Sequence, residues 1–364
     1  MSLFSKLRNT ACVMVASLAL AACGSANKEA APDAAAKKEF NIGWSIYAGW
    51  MPWPYAQQAG IVKKYEDKYG IKINIVQIND YVESVNQYTA GKLDGVTVTN
   101  MDALTIPAAG GKDTTAVIIG DYSNGNDGVV SKTAKSVAAL KGQTINLVEL
   151  SVSHYLLARA LDSANLKLSD VKTVNTGDAD IVSAFATPDA KSVVTWNPQL
   201  GEVKKVQGAT EVFSSANIPG EILDLLAVDT ATLKANPNLG KALAGIWYET
   251  MALMNAQTPE GAKARAAMGK LSGTDGPGFD AQLKTTFMYY TAADALKATL
   301  DPALVTTMDR VRSFSFDKGL YGPGATSVDA IGIGFANNKT LGDPANVKLR
   351  FDPTWMQMAA DGKL

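Results

Sequence analysis

The 364-residue chain has two cysteines and one histidine. The cysteines, Cys12 and Cys23, both stand near its start. The chain beyond them has no thiol, which excludes a disulfide, a cysteine nucleophile and a cysteine metal site. His154 has no second histidine or cysteine at ligand spacing, so no metal and no other cofactor is expected. At a helix start it reads as a structural residue or a cleft wall. Positive charge is not in excess: 34 Lys+Arg face 35 Asp+Glu, a formal net charge of −1, which leaves no basic surface for nucleic acid. Past the first residues, no run reaches the roughly 20 apolar residues of a membrane span.

The start of the chain reads as a sorting signal. Lys6 and Arg8 precede an uncharged run from Asn9 to Ala22, too short and wrongly flanked for a spanning helix. It ends in Leu20-Ala21-Ala22-Cys23-Gly24, which resembles the lipobox of bacterial lipoproteins. By that resemblance residues 1–22 are a signal peptide and Cys23 carries a lipid; plain secretion with cleavage near Ala22 is the alternative. Residues 23–38 then form a tether without a bulky apolar side chain, unable to bury enough surface to fold. The folded body is expected from about Glu39, exported and held on the periplasmic or outer face of a bacterial membrane.

The body alternates strand and helix, the βαβ rhythm of an α/β protein. Strands are expected at Phe40–Trp44, Ile71–Gln77, Val96–Val98 and Thr115–Ile119, with helices at Pro52–Tyr69, Val82–Ala90 and Asp102–Ala109. After the turn-rich Gly120–Lys132 a second unit follows, with strands at Thr144–Val148, Val171–Val174 and Ser192–Thr195, and a return strand at Leu223–Val228. From Thr230 onward helices dominate, among them Phe279–Tyr289, before a Gly/Pro-rich segment and a polar tail. The economical arrangement is two lobes joined by two crossovers: residues 39–131 plus 228–364, and residues 132–227. Ligands of open α/β sheets bind at the carboxyl ends of strands, so the cleft between the lobes is the expected site, closing by hinge motion.

Two patterns mark that cleft. Trp44, Tyr47, Trp50, Trp53 and Tyr55 crowd the segment after the first strand, where half of the six tryptophans lie. Tyr47 and Trp50 are expected to contact ligand, while Trp44, Trp53 and Tyr55 hold the loop. The other cleft loops carry Asp80, Asp102, Asp121, Asp127, Glu149, Asp178, Asp180, Glu221 and Asp224, and no lysine or arginine. An anion site would add cationic side chains to the helix N-termini; this set reverses the field and fits a planar cation. Guanidinium stacks on aromatic faces and pairs bidentately with carboxylates. Tyr47, Trp50 and Trp196 supply faces; Glu149, Asp80, Asp102 and Asp121 supply forks; Asn100 and Asn197 take the remaining N–H groups. Tyr81, Ser151 and Glu221 lie in the same loops. Asp102 and Asp178 also read as helix caps, Asp127 and Asp180 as solvated, and Asp224 as a structural partner at a strand start. A ligand of four heavy atoms at about −1.5 kcal/mol per atom reaches roughly −6 kcal/mol, a Kd near tens of μM.

Several stretches resemble a known group: GWSIYAGWMPWPYAQQAGIVKKYEDKYGI, NDYVESVNQYTAGKLDGVTVTNMDALTIP, NLVELSVSHYLLARAL, VVTWNPQL and the phrase Ser136–Gly142. They resemble the solute-binding lipoproteins of ABC importers in the nitrate, sulfonate, taurine and thiamine-precursor group, and within it the branch beside urea carboxylase genes. That branch is labelled a urea-transporter component, and its partner enzyme family acts on guanidine. The resemblance implies a two-lobed periplasmic-binding-protein fold of type II form, no catalysis, a monomer, and partners in a permease, an ATPase and the membrane through Cys23. The solute it implies is a small cation or amide, guanidinium first, with urea, another amide or a quaternary ammonium as alternatives. A pyrimidine-forming enzyme of thiamine synthesis shares the superfamily but depends on a cysteine-rich motif absent here.

Overall fold

The structure, a computed structural model, describes residues 37–364. The expected signal peptide, Cys23 and the tether up to residue 36 lie outside the described residues. Among the described residues no helix is long and apolar enough to cross a membrane.

Four strands open the fold: β1 (Glu39–Trp44), β2 (Lys72–Gln77), β3 (Gly95–Thr99) and β4 (Thr114–Ser123). Five form a second sheet: β5 (Asp127–Ser131), β6 (Thr144–Leu147), β7 (Lys172–Asn175), β8 (Ser192–Trp196) and β9 (Thr210–Ser214). The chain then returns with β10 (Leu223–Asp229), β11 (Thr286–Met288), β12 (Gly332–Gly334), β13 (Thr340–Leu341) and β14 (Val347–Phe351). The first sheet runs β13-β12-β14-β4-β10-β3-β1-β2, with β11 also on β4; the second runs β7-β6-β8-β5-β9. The sheets are mixed: β1 pairs in parallel with β2 and β3, and β6 with β7 and β8, whereas β10 lies antiparallel between β3 and β4, and β5 antiparallel between β8 and β9. The central strands β3, β5 and β8 are buried along their whole length, as a sheet covered on both faces requires.

The two passages between sheets lie side by side. The first is the turn 124–126, where Gly125 takes a φ of 107° that a side chain would strain. The second is 215–222. Ser215 at its start meets Ser123 Oγ at 2.6 Å and accepts from Gly125 N at 2.7 Å. Sheet membership therefore changes before β5 and before β10, a few residues ahead of the expected limits at 131 and 227, because β5 already pairs with β8 and β9 and β10 already pairs with β3 and β4.

Three local expectations change. The helix expected over Pro52–Tyr69 is two helices, Pro52–Gln58 and Ile61–Tyr69, broken where Gly60 takes φ 76°. Phe279–Tyr289 is a helix, Gly276–Leu283, followed by β11, whose backbone bonds to β4 outcompete helix continuation. The polar tail is not a tail: β14 buries Leu349 and Phe351 beside β4, and the helix Thr354–Ala360 buries Trp355 against Gly240 and Met356 against Thr299.

Candidate functional site

A single turn of 3₁₀ helix, Ala48–Trp50, follows β1. Its bond from Trp50 N to Tyr47 O (3.0 Å) sets the two rings edge to face, centroids 5.0 Å apart. Tyr81 opens the helix Tyr81–Thr89 and lies 5.6 Å from Trp50. Trp196, at the end of β8 in the second sheet, stands edge-on to Tyr81 at 5.8 Å. These four rings, with Thr99, Asp127, Val152, Ile222 and Asp224, enclose a cavity of about 20 Å³. A single water needs roughly 10–15 Å³ on this measure, so the space suits a ligand of very few atoms.

Four aspartates surround the rings, each under 5% exposed. Asp102 accepts from Tyr81 Oη (2.7 Å), Thr99 Oγ1 (2.9 Å) and Val152 N (3.4 Å), and its Oδ1 has no donor. Asp121 accepts from Tyr47 Oη at 2.8 Å, and its Oδ2 has no donor. Asp127 accepts from Ser123 Oγ at 2.5 Å. Asp224 sits directly opposite Asp121 in the β10–β4 ladder. Gly49 belongs to the same design, since a Cβ there would fall on Asp121 Oδ2 and the Tyr47 ring.

Among the described residues no lysine, arginine or histidine lines this cavity. Burial pushes the Asp102 carboxyl up to about 6 against the hydrogen bonds from Tyr81 and Thr99, and the Asp127 carboxyl up to about 7. Asp121 is pushed up to about 7 by burial, with the Asp127 charge adding to it. Asp224 stands well above the usual carboxylate range, through burial and then the charges of Asp121 and Asp127. Tyr47 and Tyr81 are raised too, by burial beside these acids, so both hydroxyls stay protonated and donate. No group of three or more potential ligands converges on a metal position among the described residues. The arrangement can bind a small organic cation, with rings for its faces and acceptors for its edges.

The structure gathers Tyr47, Trp50, Tyr81, Asp102, Asp121 and Trp196 and leaves the other expected residues elsewhere. Asp80 is exposed and caps the helix Tyr81–Thr89 through Glu83 N. Asn100 ties down the second passage, donating to Glu221 O and accepting from Leu223 N, both at 3.1 Å. Glu149 turns aside to Thr173 Oγ1, because the left-handed Leu150 (φ 63°) redirects the loop. Ser151 caps the helix Val152–Ser163. Asn197 accepts from Gly201 N at 2.9 Å and donates to Thr285 Oγ1 at 3.3 Å. Glu221 is held by Tyr155 Oη (2.7 Å), by Arg159 through two bonds (2.8 and 3.0 Å) and by Arg310 (3.1 Å). It is thus neutralised from Arg159 and Arg310, which no reading of the cleft loops alone could supply.

Asp127 and Asp224 were the residues that sequence reasoning undervalued. The signal for Asp224 was its position in a return strand beside the strand carrying Asp121, which puts two acids on one ladder rung. Trp53 packs on Trp247 in the core, centroids 5.2 Å apart, and Trp44 is buried, as the loop-holding reading expected.

Comparison with known proteins adds the following. The profile of the family described as NMT1/THI5 like matches residues 56–257. A protein of Brucella abortus (strain 2308) named "Putative binding protein" is 29% identical over 153 residues, 42% of this chain and 47% of that protein. The match therefore spans about half the length of the curated relatives. Among solved structures, the alkanesulfonate-binding protein SsuA from Xanthomonas axonopodis pv. citri bound to MOPS is 15% identical with a TM-score of 0.64, over 79% of this chain and 96% of that one. The aliphatic sulphonate binding protein SsuA of Escherichia coli is 18% identical, TM-score 0.64, over 78% and 94%. The nitrate-binding protein NrtA from Synechocystis PCC 6803 is 13% identical, TM-score 0.54, over 90% and 99%. These likenesses establish the expected α/β fold of the periplasmic binding proteins, with its two sheets.

Proposed function

The chain belongs to the NMT1/THI5-like family, and from that premise we propose that it is the solute-binding component of an ABC-type importer, capturing guanidinium and delivering it to a permease and ATPase. The observation that carries this reading is an aromatic box lined by the buried Asp127 and Asp224, with the buried Asp102 and Asp121 bonded to its tyrosine hydroxyls, and with no basic side chain lining it among the described residues. Sulfonate and nitrate, named for the structural neighbours, are anions that such a box would repel. The cavity's size also favours a ligand of a few heavy atoms over an alkanesulfonate. On this reading the protein is an exported monomer, lipid-anchored through Cys23, that does no chemistry. Binding closes the cleft because ligand contacts both sheets at once, through Trp196 on one side and Trp50 and Asp224 on the other.

One observation favours urea instead. Trp50 Nε1 is buried without an acceptor, and urea carries a carbonyl oxygen that guanidinium lacks. Titration calorimetry of the purified chain with guanidinium, urea, nitrate and an alkanesulfonate decides. Guanidinium should bind most tightly; tighter urea binding moves the assignment to the amide, and tighter anion binding removes it altogether.

A further inference from the structure

We propose that the site takes its cation in exchange for a proton: the Asp121–Asp224 pair holds one proton when empty and releases it to solvent as the ligand enters. This rests on the cation reading above and deepens it.

The two side chains face each other across an antiparallel rung, and their carboxyls are within hydrogen-bonding reach. Asp121 is fully buried and Asp224 is 4% exposed. Two ionised carboxylates in contact out of water repel strongly, so one proton lies between them. The groups facing the pair come from every packed element. Tyr47, in the loop after β1, donates to Asp121 Oδ1. Asp127 on β5 adds negative charge. Tyr289 and Tyr290, just after β11, are neutral phenols within reach of the Asp121 charge. Among the described residues no lysine, arginine or histidine lines the cavity beside Asp224, so a proton or an incoming cation supplies the counter-charge. The Oδ2 of Asp121, beside the bare Gly49, meets no hydroxyl or amide donor, which leaves it to the proton shared with Asp224.

A monovalent cation and the proton answer the same charge and so compete. The pair carries one negative charge with the proton and two without it. Guanidinium binding to the doubly ionised pair restores the balance, and the proton passes to buffer. Urea, being neutral, leaves the proton in place. Proton release is therefore a property of the ligand class as well as of the site.

The test is titration calorimetry of the full chain with millimolar guanidinium chloride at pH 6.0–7.5 in phosphate and in Tris, which differ in ionisation enthalpy. About one proton should be released per guanidinium bound, and affinity should fall up to tenfold per pH unit on the acid side of this range. Urea, if it binds, should release none. In Asp224→Asn, guanidinium binding should weaken, release clearly less than one proton and lose most of its dependence on pH. Equal heats in the two buffers, with guanidinium still bound, overturn the exchange and leave cation capture standing. Unchanged proton release in the variant also overturns it, by placing the proton elsewhere. No guanidinium binding at any pH overturns both readings. The two-buffer comparison on the unmodified chain needs no variant to fold.

Discussion

Two groups of buried acids lie in the same region of the molecule and are treated in opposite ways. Glu221, on the second passage between the sheets, is held by Arg159 from the helix Val152–Ser163 and by Arg310 from the helix Pro302–Asp317, with Tyr155 donating a third contact. These hydrogen bonds and charges outweigh burial, and its carboxyl is held below the ordinary value. The four aspartates around the rings, of which Asp127 and Asp224 line the cavity, have no basic partner among the described residues, and burial pushes all of them up. A buried carboxylate is costly unless paired. The Glu221 cluster meets that cost within the protein, so it reads as a joint in the fold. The aspartates leave it unmet, which is the condition a ligand relieves.

The largest separation between the two groups should come from conservative amide variants. Asp121→Asn keeps its acceptor for Tyr47 Oη and removes one charge. Guanidinium affinity should drop by about 100-fold, the loss of one desolvated charge-assisted pair, while the melting temperature holds or rises. Glu221→Gln should do the reverse. It strands Arg159, and the stability loss is about 2 kcal/mol, less than a fully buried pair because Arg310 is 56% exposed. Intrinsic ligand contacts should be unchanged. Thermal melts and calorimetry on both variants give the four numbers; if Asp121→Asn destabilises and Glu221→Gln abolishes binding, the comparison is inverted.

A smaller effect follows from pH. Asp102, Asp121 and Asp127 titrate near 6 to 7 in the fold, above the ordinary value of 3.8. A group with a raised folded value contributes stability that is fully present below its unfolded value and lost as pH rises through the folded one. The ligand-free protein should therefore lose on the order of 5 °C in melting temperature between pH 5 and 8, and bound guanidinium should flatten the slope. A melting temperature that rises over this window would mean that the aspartates are already paired.

The same contrast explains what could be read from the chain. Tyr47, Trp50, Trp196, Asp102 and Asp121 were legible because a strand's carboxyl end fixes the loop after it, and alternating apolar runs locate strand ends. The tail was not legible, because β14 is a short strand whose burial depends on a neighbour more than 200 residues earlier, β4. Glu221 was misread for a related reason. It lies in a cleft loop, but its charge is cancelled by Arg159 and Arg310, each on the body of a helix more than 60 residues away. Loop composition reports local charge, while the balance that decides a carboxylate's role is set by tertiary contacts.

The smallest expected effect sharpens this last point. Glu149 follows β6 directly, on the pattern that places Asp102 after β3, and the sequence offers it as a counter-charge on equal terms. Its side chain instead accepts from Thr173 Oγ1 on β7, and its backbone N donates to Asn175 Oδ1, both at the edge of the second sheet. It takes no part in lining the cavity. Glu149→Gln should keep the bond from Thr173 and change guanidinium affinity by less than about twofold, the scale of a screened surface charge. A loss near that of Asp121→Asn would mean that the loop at Leu150 swings to bring Glu149 onto the ligand. The cavity would then hold its cation through a residue that the closed rings do not touch.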